Sequence, residues 1–480
     1  MLLVKKEFAI MNKTNNIKKS DITDELGSGK ILPLILRLTI PAVVAQLIVF
    51  LYNIVDRMYV AKIKGAGMDA LAALGIVLPV TIIIQSFANL IGLGGAPRAG
   101  IKLGENNRAE ANRIFNTSFV LLCITGIIIG LVVFAFAEPI VILFGCPSSA
   151  VKYAVSYLKI YSCGTLFVMI AQGLNPFILT QGYSFISMTY SLLGAVINII
   201  LDPVFIFALD MGVAGSSLAT VISQLCSCIC IIRFFCTKKS IFGFTLGDMH
   251  IVCKRVFNIV SLGFTPFIMT LTECAIQIVF NINLKAATLG NKDYTAALTI
   301  MLSALQFISL PLNGLGSGMQ PFVSYNYGKG DAKRLTEGIK CVTLIAFGFA
   351  LTVWLVSLTF PQIYAYLFSA SDNVTRIVKK YTPWFLMGSI MFFVQMTLQN
   401  VNIALGQAKT ALILAVTRKV IILIPLCFIL TYLCGFKGVY MSEGIADLAA
   451  GIITAAVLFK KLPVIFKERE AEVAKIAQTV

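Results

Sequence analysis

The sequence predicts an all-α integral membrane protein in which twelve transmembrane helices form two parallel six-helix repeats, with both termini in the cytoplasm. The first observation is the composition: 58% of the 480 residues are hydrophobic and 13% are charged, whereas soluble proteins carry about 25% charged residues. The second observation is a series of twelve apolar stretches, each long enough to cross a bilayer. The third is an internal repeat, which divides these stretches into equal halves.

The apolar stretches set the predicted domain boundaries. A spanning helix needs roughly 20 apolar residues, and such stretches occur at 33–60, 69–93, 114–137, 153–179, 185–208, 213–236, 257–283, 294–318, 337–360, 380–404, 410–433 and 438–460. We therefore predict a polar cytoplasmic leader at 1–32, a first six-helix lobe at 33–236, a cytoplasmic linker at 237–256, a second six-helix lobe at 257–460 and a cytoplasmic tail at 461–480.

The net charge of +17 is distributed asymmetrically across the predicted membrane. If the N-terminus is cytoplasmic, 26 of the 39 Lys and Arg residues fall in the leader, the loops on its side and the tail. Cytoplasmic segments of membrane proteins carry such an excess. Both termini are therefore predicted to be cytoplasmic, and the basic charge does not indicate binding to nucleic acid.

The two halves of the chain align with each other at an offset of 224 residues. Identical residues at this offset include Asp69 and Asp293, Gly92 and Gly316, Gly94 and Gly318, Pro97 and Pro321, Gly104 and Gly328, Tyr157 and Tyr381, and Gly182 and Gly406. Because each half has an even number of spans, both halves enter the membrane from the same side. Parallel repeats are typical of transporters that bind substrate between two bundles and rock them to give alternating access.

The sequence carries no signature of an enzyme. His250 is the only histidine, so His-based zinc sites and catalytic triads cannot be built. The segment GSGK at 27–30 resembles the end of a phosphate-binding loop, but Asp24 replaces the first glycine of that motif and Ile31 replaces its Ser or Thr. We therefore predict a protein that is not an enzyme and holds no cofactor.

Four polar residues of the first half lie in apolar surroundings, where burial is costly. These are Asp56, Asn198, Asp202 and Thr220, and the repeat places Phe280, Ile422, Leu426 and Gly444 at the corresponding positions of the second half. Since the fold accepts apolar or small residues there, a functional role is favoured over a packing role. Asn198 and Asp202 share one helix face, and the set suits either Na⁺ or a proton shared between two acids. We predict a coupling-ion site.

Pro203 follows Asp202 directly and is predicted to act in gating. Proline has no N–H, so it leaves the carbonyl of Ile199 without its helical partner and makes the helix easier to bend. Binding of the coupling ion would neutralise the acids, draw the helices of the first lobe together and expel the substrate.

Glu273 is the main candidate for substrate binding. It lies in the seventh predicted helix and aligns with Val49 of the first half. An acid facing a central cavity would attract a cationic substrate; a proton site and a purely structural hydrogen bond are the alternatives. Further cavity candidates are Gln277, Tyr157, Asn175 and Met301. Arg418 and Lys419 lie within the eleventh predicted helix, and one of them could pair with a cavity acid.

Four segments resemble the MATE (multidrug and toxic compound extrusion) family: YNIVDRMYVAK, NIILDPVFIF, GVAGSSLATVISQ and GLGSGMQPFVSYNYGKGD. The resemblance covers about residues 30–460 and is greatest for the bacterial branch. It implies an antiporter in the bacterial cytoplasmic membrane that exports amphipathic organic cations in exchange for H⁺ or Na⁺. The ion ligands of that branch fall on Asp56, Asn198, Asp202 and Thr220, and a helix-seven glutamate of some relatives falls on Glu273. Their helix-ten aspartate has no counterpart here, so the first lobe is the predicted ion site.

Other functions remain open at this level. A flippase or exporter of a lipid-like or anionic metabolite from the same superfamily should have several basic residues in its cavity, but away from the ends of the predicted spans the basic residues are only Lys159, Arg418 and Lys419. A membrane enzyme would need a nucleophile or metal ligands beside its acids. We expect small organic cations and the lipid bilayer as partners, no nucleic acid, and a monomer.

Overall fold

The computed structural model describes residues 25–63, 67–289, 291–368 and 370–479, and these form an all-helical protein. The leader residues 1–24 lie outside the described part of the chain. The long helices, in chain order, are α1 Ile31–Ala61, α2 Gly67–Gly104, α3 Arg108–Ala135, α4 Val151–Thr180, α5 Ser184–Ala208, α6 Gly212–Cys236, α7 Cys253–Ala287, α8 Lys292–Lys329, α9 Ala332–Thr359, α10 at 372–404, α11 Ala408–Cys434 and α12 Phe436–Thr479.

The predicted all-helical membrane fold is confirmed. Eleven of these helices are long and apolar enough to cross a membrane. The tenth differs because it is broken into short pieces: an α-helix Asp372–Phe385 that contains Pro383, a 3-10 turn Met387–Met391, a π-turn Phe393–Leu398 and an α-helix Gln399–Ala404. A proline inside a helix removes a backbone donor and disturbs the ladder around it. The last helix also runs on through the predicted tail.

The internal repeat is visible in how corresponding helices begin. The side chain of Asn107 accepts a hydrogen bond from the backbone N–H of Glu110 at 3.0 Å, which caps α3. In the second half, Asp331 accepts from the backbone N–H of Arg334 at 3.0 Å and caps α9. Asn and Asp are favoured at this position because their oxygens satisfy a free N–H of the first turn. The two caps are one repeat length apart.

The buried apolar side chains form two large clusters, one for each half. The first draws its members from residues 60–259 and the second from residues 276–466. The second cluster also includes Leu34, Ile35 and Leu38 at the start of α1. The first turns of α1 therefore pack against the second half.

The two halves touch through glycines at the end of the bundle that bears the basic loops, which we call the basic end. A Cβ atom on Gly104 would lie 2.0 Å from the carbonyl oxygen of Tyr325, and one on Gly328 would lie 2.1 Å from that of Ile101. No larger residue can replace these glycines without separating the helices. Arg469 of α12 adds a polar link, since its guanidinium donates to Glu105 of the first half and to the Gly328 carbonyl.

Candidate functional site

A central cavity of about 590 Å³ lies between the two halves. Its walls come from α1, α2, α4 to α8, α10 and α11, and amides dominate its polar surface: Gln46, Gln85, Asn89, Gln172, Asn175, Asn198, Gln224, Asn313, Gln320, Gln395, Gln399 and Asn400. The charged residues among its lining are Glu273 and Lys419. Such a surface offers many neutral hydrogen-bonding groups around one acid and one base.

The four predicted ion ligands come together at the first-half wall of the cavity, contributed by α1, α5 and α6. Asn198 Nδ2 lies 3.4 Å from Asp202 Oδ1 and 3.4 Å from Thr220 Oγ1. The carboxyl groups of Asp56 and Asp202 face each other within hydrogen-bonding range. Asp202 is fully buried, and Asn198 and Thr220 border the cavity. The sequence therefore identified side chains that are neighbours in space.

Serine residues of α6 complete this cluster, and the sequence analysis did not identify them. Ser216 Oγ donates to Asp56 Oδ1 at 2.8 Å, and Thr220 Oγ1 donates to the Ser216 carbonyl at 3.0 Å. Ser217 Oγ donates to the Tyr157 carbonyl at 2.9 Å. The only signal for Ser216 was its position one helical turn before Thr220. Tyr157, predicted to contact substrate, instead lies buried beside this cluster and does not line the cavity.

Two buried acceptor atoms of the cluster have no hydrogen-bond donor: Asn198 Oδ1 and Asp202 Oδ2. A buried acceptor without a donor is costly, and two facing carboxylates repel unless one binds a proton or a cation lies between them. The residues present therefore fit either a proton or Na⁺. The Asn198 amide, however, directs its nitrogen at Asp202 and Thr220, so it would have to turn over before its oxygen could join them around a metal ion.

Pro203 lies at a change of helix type. The α-helical part of α5 ends at Pro203, and Val204–Ala208 continues as a π-turn. Leu209 then donates to the Val204 carbonyl at 2.9 Å. Single π-turns inside helices are frequent at functional sites, and here the turn begins directly after the buried Asp202.

The corresponding positions of the second half are filled by packing groups. Phe280 is fully buried, and Ile422 and Leu426 pack against the buried apolar cluster of the second half, the second core. Gly444 approaches α10 so closely that a Cβ atom there would lie 2.1 Å from the Trp384 carbonyl oxygen. The repeat thus keeps its architecture without polar groups at these positions.

Glu273 lines the cavity, and its partner is Lys419. The Lys419 ammonium donates to the Glu273 carboxylate and also to the Met269 carbonyl at 3.1 Å. The Lys419 side chain is 3% exposed, whereas that of Glu273 is 56% exposed. Glu273 is therefore a paired acid that remains open to the cavity, which the sequence alone did not establish.

The other predicted substrate contacts divide into two groups. Asn175 lines the cavity and donates to Ser191 Oγ at 3.3 Å. Gln277 and Met301 do not line it. Met301 is fully buried in the second core, and Gln277 lies one turn beyond Glu273 and is exposed. Helical spacing predicts the face of a helix on which a residue lies but not its depth in the bundle, so the sequence did not determine these two placements.

A buried ion pair behind the cavity wall was missed. Arg418 binds Asp447 of α12, with Nη2 at 2.7 Å and Nε at 2.8 Å from Oδ1. Glu443, one turn earlier on α12, lies 3.6 Å from Arg418 Nη2. The signal was the pair of acids four residues apart in an otherwise apolar stretch. Within the described ranges, no group of three or more His, Cys, Asp or Glu side chains is arranged to hold a metal ion.

Comparison with known proteins agrees with this architecture. Residues 41–204 and 266–429 each match the sequence profile of the MatE family. The chain is 27% identical over 428 residues to the multidrug export protein MepA of Staphylococcus haemolyticus, covering 88% of this chain and 92% of that protein. It is 27% identical over 424 residues to MepA of Staphylococcus aureus strain MSSA476, covering 86% and 91%.

Solved structures give the same result. The MATE multidrug transporter DinF-BH superposes with a TM-score of 0.84 at 29% identity, covering 92% of this chain and 98% of that one. A multidrug resistance MATE family transporter of the MOP superfamily, in an outward-facing conformation, superposes with a TM-score of 0.85 at 22% identity over the same shares. Two profile matches that together span most of the chain show that this protein belongs to the MatE family and is a multi-pass membrane transporter rather than an enzyme.

Proposed function

We propose that the protein is a multidrug efflux antiporter that exports amphipathic organic cations across the bacterial cytoplasmic membrane, in exchange for an inward-moving cation. The observation that carries this proposal is the pair of facing carboxyl groups of Asp56 and Asp202 beside the central cavity. Two adjacent buried acids gain strongly from one bound positive charge. The names of the MepA relatives support export of several drugs.

The charge of the cavity supports an organic cation as the substrate. Glu273 faces the cavity, and Lys419, the base beside it, is already bound to that carboxylate. The amide groups of the remaining polar lining can hydrogen-bond to many partners. Because they carry no charge, they do not repel a neutral or cationic ligand. The alternative substrate, an anionic or lipid-like metabolite, would have to bind Lys419, whose side chain is 3% exposed, whereas a cation can reach Glu273, whose side chain is 56% exposed.

The coupling ion acts through the first half in this proposal. We take the proton rather than Na⁺ as the coupling ion, because two neighbouring acids can share a proton without the rotation of the Asn198 amide that binding of Na⁺ would need. Protonation of Asp202 would remove its repulsion from Asp56 and allow α1 and α5 to move closer together. The π-turn after Pro203 provides a place where α5 can bend. The cavity then narrows, and the substrate leaves on the outer side.

Alternating access would use the glycine contacts at the basic end. Because Gly104 and Gly328 allow the two halves to touch there, we propose that this end, cytoplasmic by its charge, is closed in the described state. Separation of the same contacts opens the cavity to the cytoplasm. Both termini remain on the cytoplasmic side, and one chain contains the whole pathway, so a monomer is sufficient.

The test is transport of ethidium in proteoliposomes, with a pH gradient and a Na⁺ gradient imposed separately. We expect efflux with the pH gradient, and loss of this efflux in Asp202→Asn. The matched control is Asp210→Asn, the same chemical change at an exposed turn after α5. Normal efflux by a folded Asp202→Asn variant contradicts the ion-site assignment. Efflux that is driven by the Na⁺ gradient alone would show that the coupling ion is Na⁺ and not the proton.

A further inference from the structure

The second half contains a buried charge cluster of five side chains, which are Glu273 of α7, Arg418 and Lys419 of α11, and Glu443 and Asp447 of α12. The side chains of Lys419, Glu443 and Asp447 are 3%, 5% and 1% exposed. Arg418 is enclosed as well, with its guanidinium 5.0 Å from the ring centroid of Phe392. Only Glu273 reaches the cavity to a large extent. The cluster thus joins the cavity wall to the interior of the second half.

The cluster holds two bases and three acids, so one carboxylate is in excess. Lys419 is bound to Glu273, and Arg418 donates one hydrogen bond from Nε to Asp447 Oδ1, with its Nη2 atom 2.7 Å from the same oxygen. Glu443 is left without a hydrogen bond, since 3.6 Å from Arg418 is too long for one. Its Oε2 atom is buried and has no partner; Asp447 Oδ2 also lacks one, but Asp447 Oδ1 accepts a hydrogen bond from Arg418. Glu443 is therefore the acid whose charge the cluster does not balance.

An unbalanced carboxylate in this position is costly when ionised. Removing a charge from water costs several kcal/mol unless partners compensate it, and a buried acid avoids this cost by taking up a proton. The charged and titratable groups around Glu443 are Arg418, Lys419 and Cys427 on α11, Glu273 on α7, and Asp447 on its own helix. Both bases already have an acid of their own, so the excess is not relieved.

We propose that Glu443 is a second proton-binding site, and that a cationic substrate releases its proton by displacing Lys419 from Glu273. This inference rests on the proposed function for the contact between the substrate and Glu273. Arg418 and Lys419 are consecutive residues in the π-turn Thr417–Leu423. Arg418 pairs with Asp447 of α12, and Lys419 pairs with Glu273 of α7. Displacement of Lys419 from Glu273 therefore moves the residue directly after Arg418, and Arg418 is the base that faces Glu443.

Charge is conserved in this step. Before substrate binding, two bases balance the carboxylates of Glu273 and Asp447, and Glu443 is neutral. The substrate adds one positive charge at Glu273 and leaves the Lys419 ammonium without its counter-ion. Glu443 then gives its proton to cavity water, and its new carboxylate balances Lys419. One cationic charge enters the cluster and one proton leaves, so the second half exchanges cations without a net change of charge.

The experiment measures protons released when tetraphenylphosphonium, a permanent cation without titratable groups, binds to the purified full chain in weakly buffered detergent solution. All proteins carry Asp56→Asn and Asp202→Asn, so that the first-half acids cannot contribute. We expect about one proton per bound cation, as charge balance within a low-dielectric cluster requires. Adding Glu443→Gln should abolish the release, and adding Glu138→Gln, at an exposed position, should not change it. Release that persists in the Glu443→Gln protein overturns the proposal.

Infrared spectroscopy of the same proteins without substrate gives an independent result. The background protein should show the C=O stretch of a protonated carboxyl group, and Glu443→Gln should remove this band. Persistence of the band overturns the proton site. Because this measurement needs no substrate, it also separates the two proposals: if tetraphenylphosphonium does not bind the unmutated protein, the function as a cation exporter fails, while the infrared band still decides whether Glu443 holds a proton.

Discussion

Replacing Lys419 with methionine should tighten the binding of organic cations. In the structure the Lys419 ammonium occupies the Glu273 carboxylate that a cationic substrate would use. Methionine keeps a long side chain at this buried position but removes the charge, so Glu273 becomes free to bind the substrate. In the unmutated protein, Lys419 therefore competes with the substrate for the Glu273 carboxylate, and its removal should favour binding of the substrate.

The size of this effect follows from the position of the pair. Two unit charges about 4 Å apart attract each other by about 4 kcal/mol at an effective dielectric constant of about 20. The Glu273 side chain is 56% exposed to the cavity, so water weakens the interaction. We expect a gain of about 1.5–2 kcal/mol, which is roughly a ten- to thirtyfold lower Kd.

The assay is isothermal titration of the purified protein with tetraphenylphosphonium. Lys159→Met is the matched control, because Lys159 is also a lysine within a transmembrane helix but does not line the cavity. The double variant Glu273→Gln/Lys419→Met should lose the gain, since the acid that benefits is gone. Unchanged or weaker binding by a correctly folded Lys419→Met protein refutes the competition between Lys419 and the substrate.

Three further predictions concern gating and coupling. A Gly328→Val variant should lose transport but keep cation binding, because its Cβ atom would lie 2.1 Å from the Ile101 carbonyl oxygen and prevent closure of the basic end; equal loss of binding, measured by titration, would contradict this. Pro203→Ala should slow ethidium transport in proteoliposomes more than it changes the Kd, since alanine restores a backbone donor at the bend; an unchanged rate would exclude gating at Pro203. Cation binding at equilibrium should weaken as pH falls, because protons bound at Asp56 and Asp202 lower the affinity for the drug, and the drug lowers the affinity for protons by the same factor. An affinity for the drug that is constant with pH would rule out this exchange.

The sequence alone was sufficient for the membrane fold and for the first-half cluster. Continuous apolar stretches leave helices as the way to satisfy backbone groups in lipid, so the number of spans could be counted. Alignment of the two halves then allowed each polar residue to be compared with its counterpart in the other half, such as Asp202 with Leu426. This comparison selected side chains that the structure brings together, because spacing along α5 and similar depth on neighbouring helices already restrict their positions.

The tertiary structure decided the partners of the second-half charges. Sequence spacing places Arg418 and Lys419 on α11, but it contains no information on which neighbouring helix each side chain faces. In the fold, Lys419 reaches Glu273 on α7 and Arg418 reaches Asp447 on α12, far apart in the chain. Met301 was misplaced for the same reason, since its depth depends on the helices around it. Contacts between distant segments are set by the packing of whole helices, and a buried charge obtains its partner only when that packing is complete.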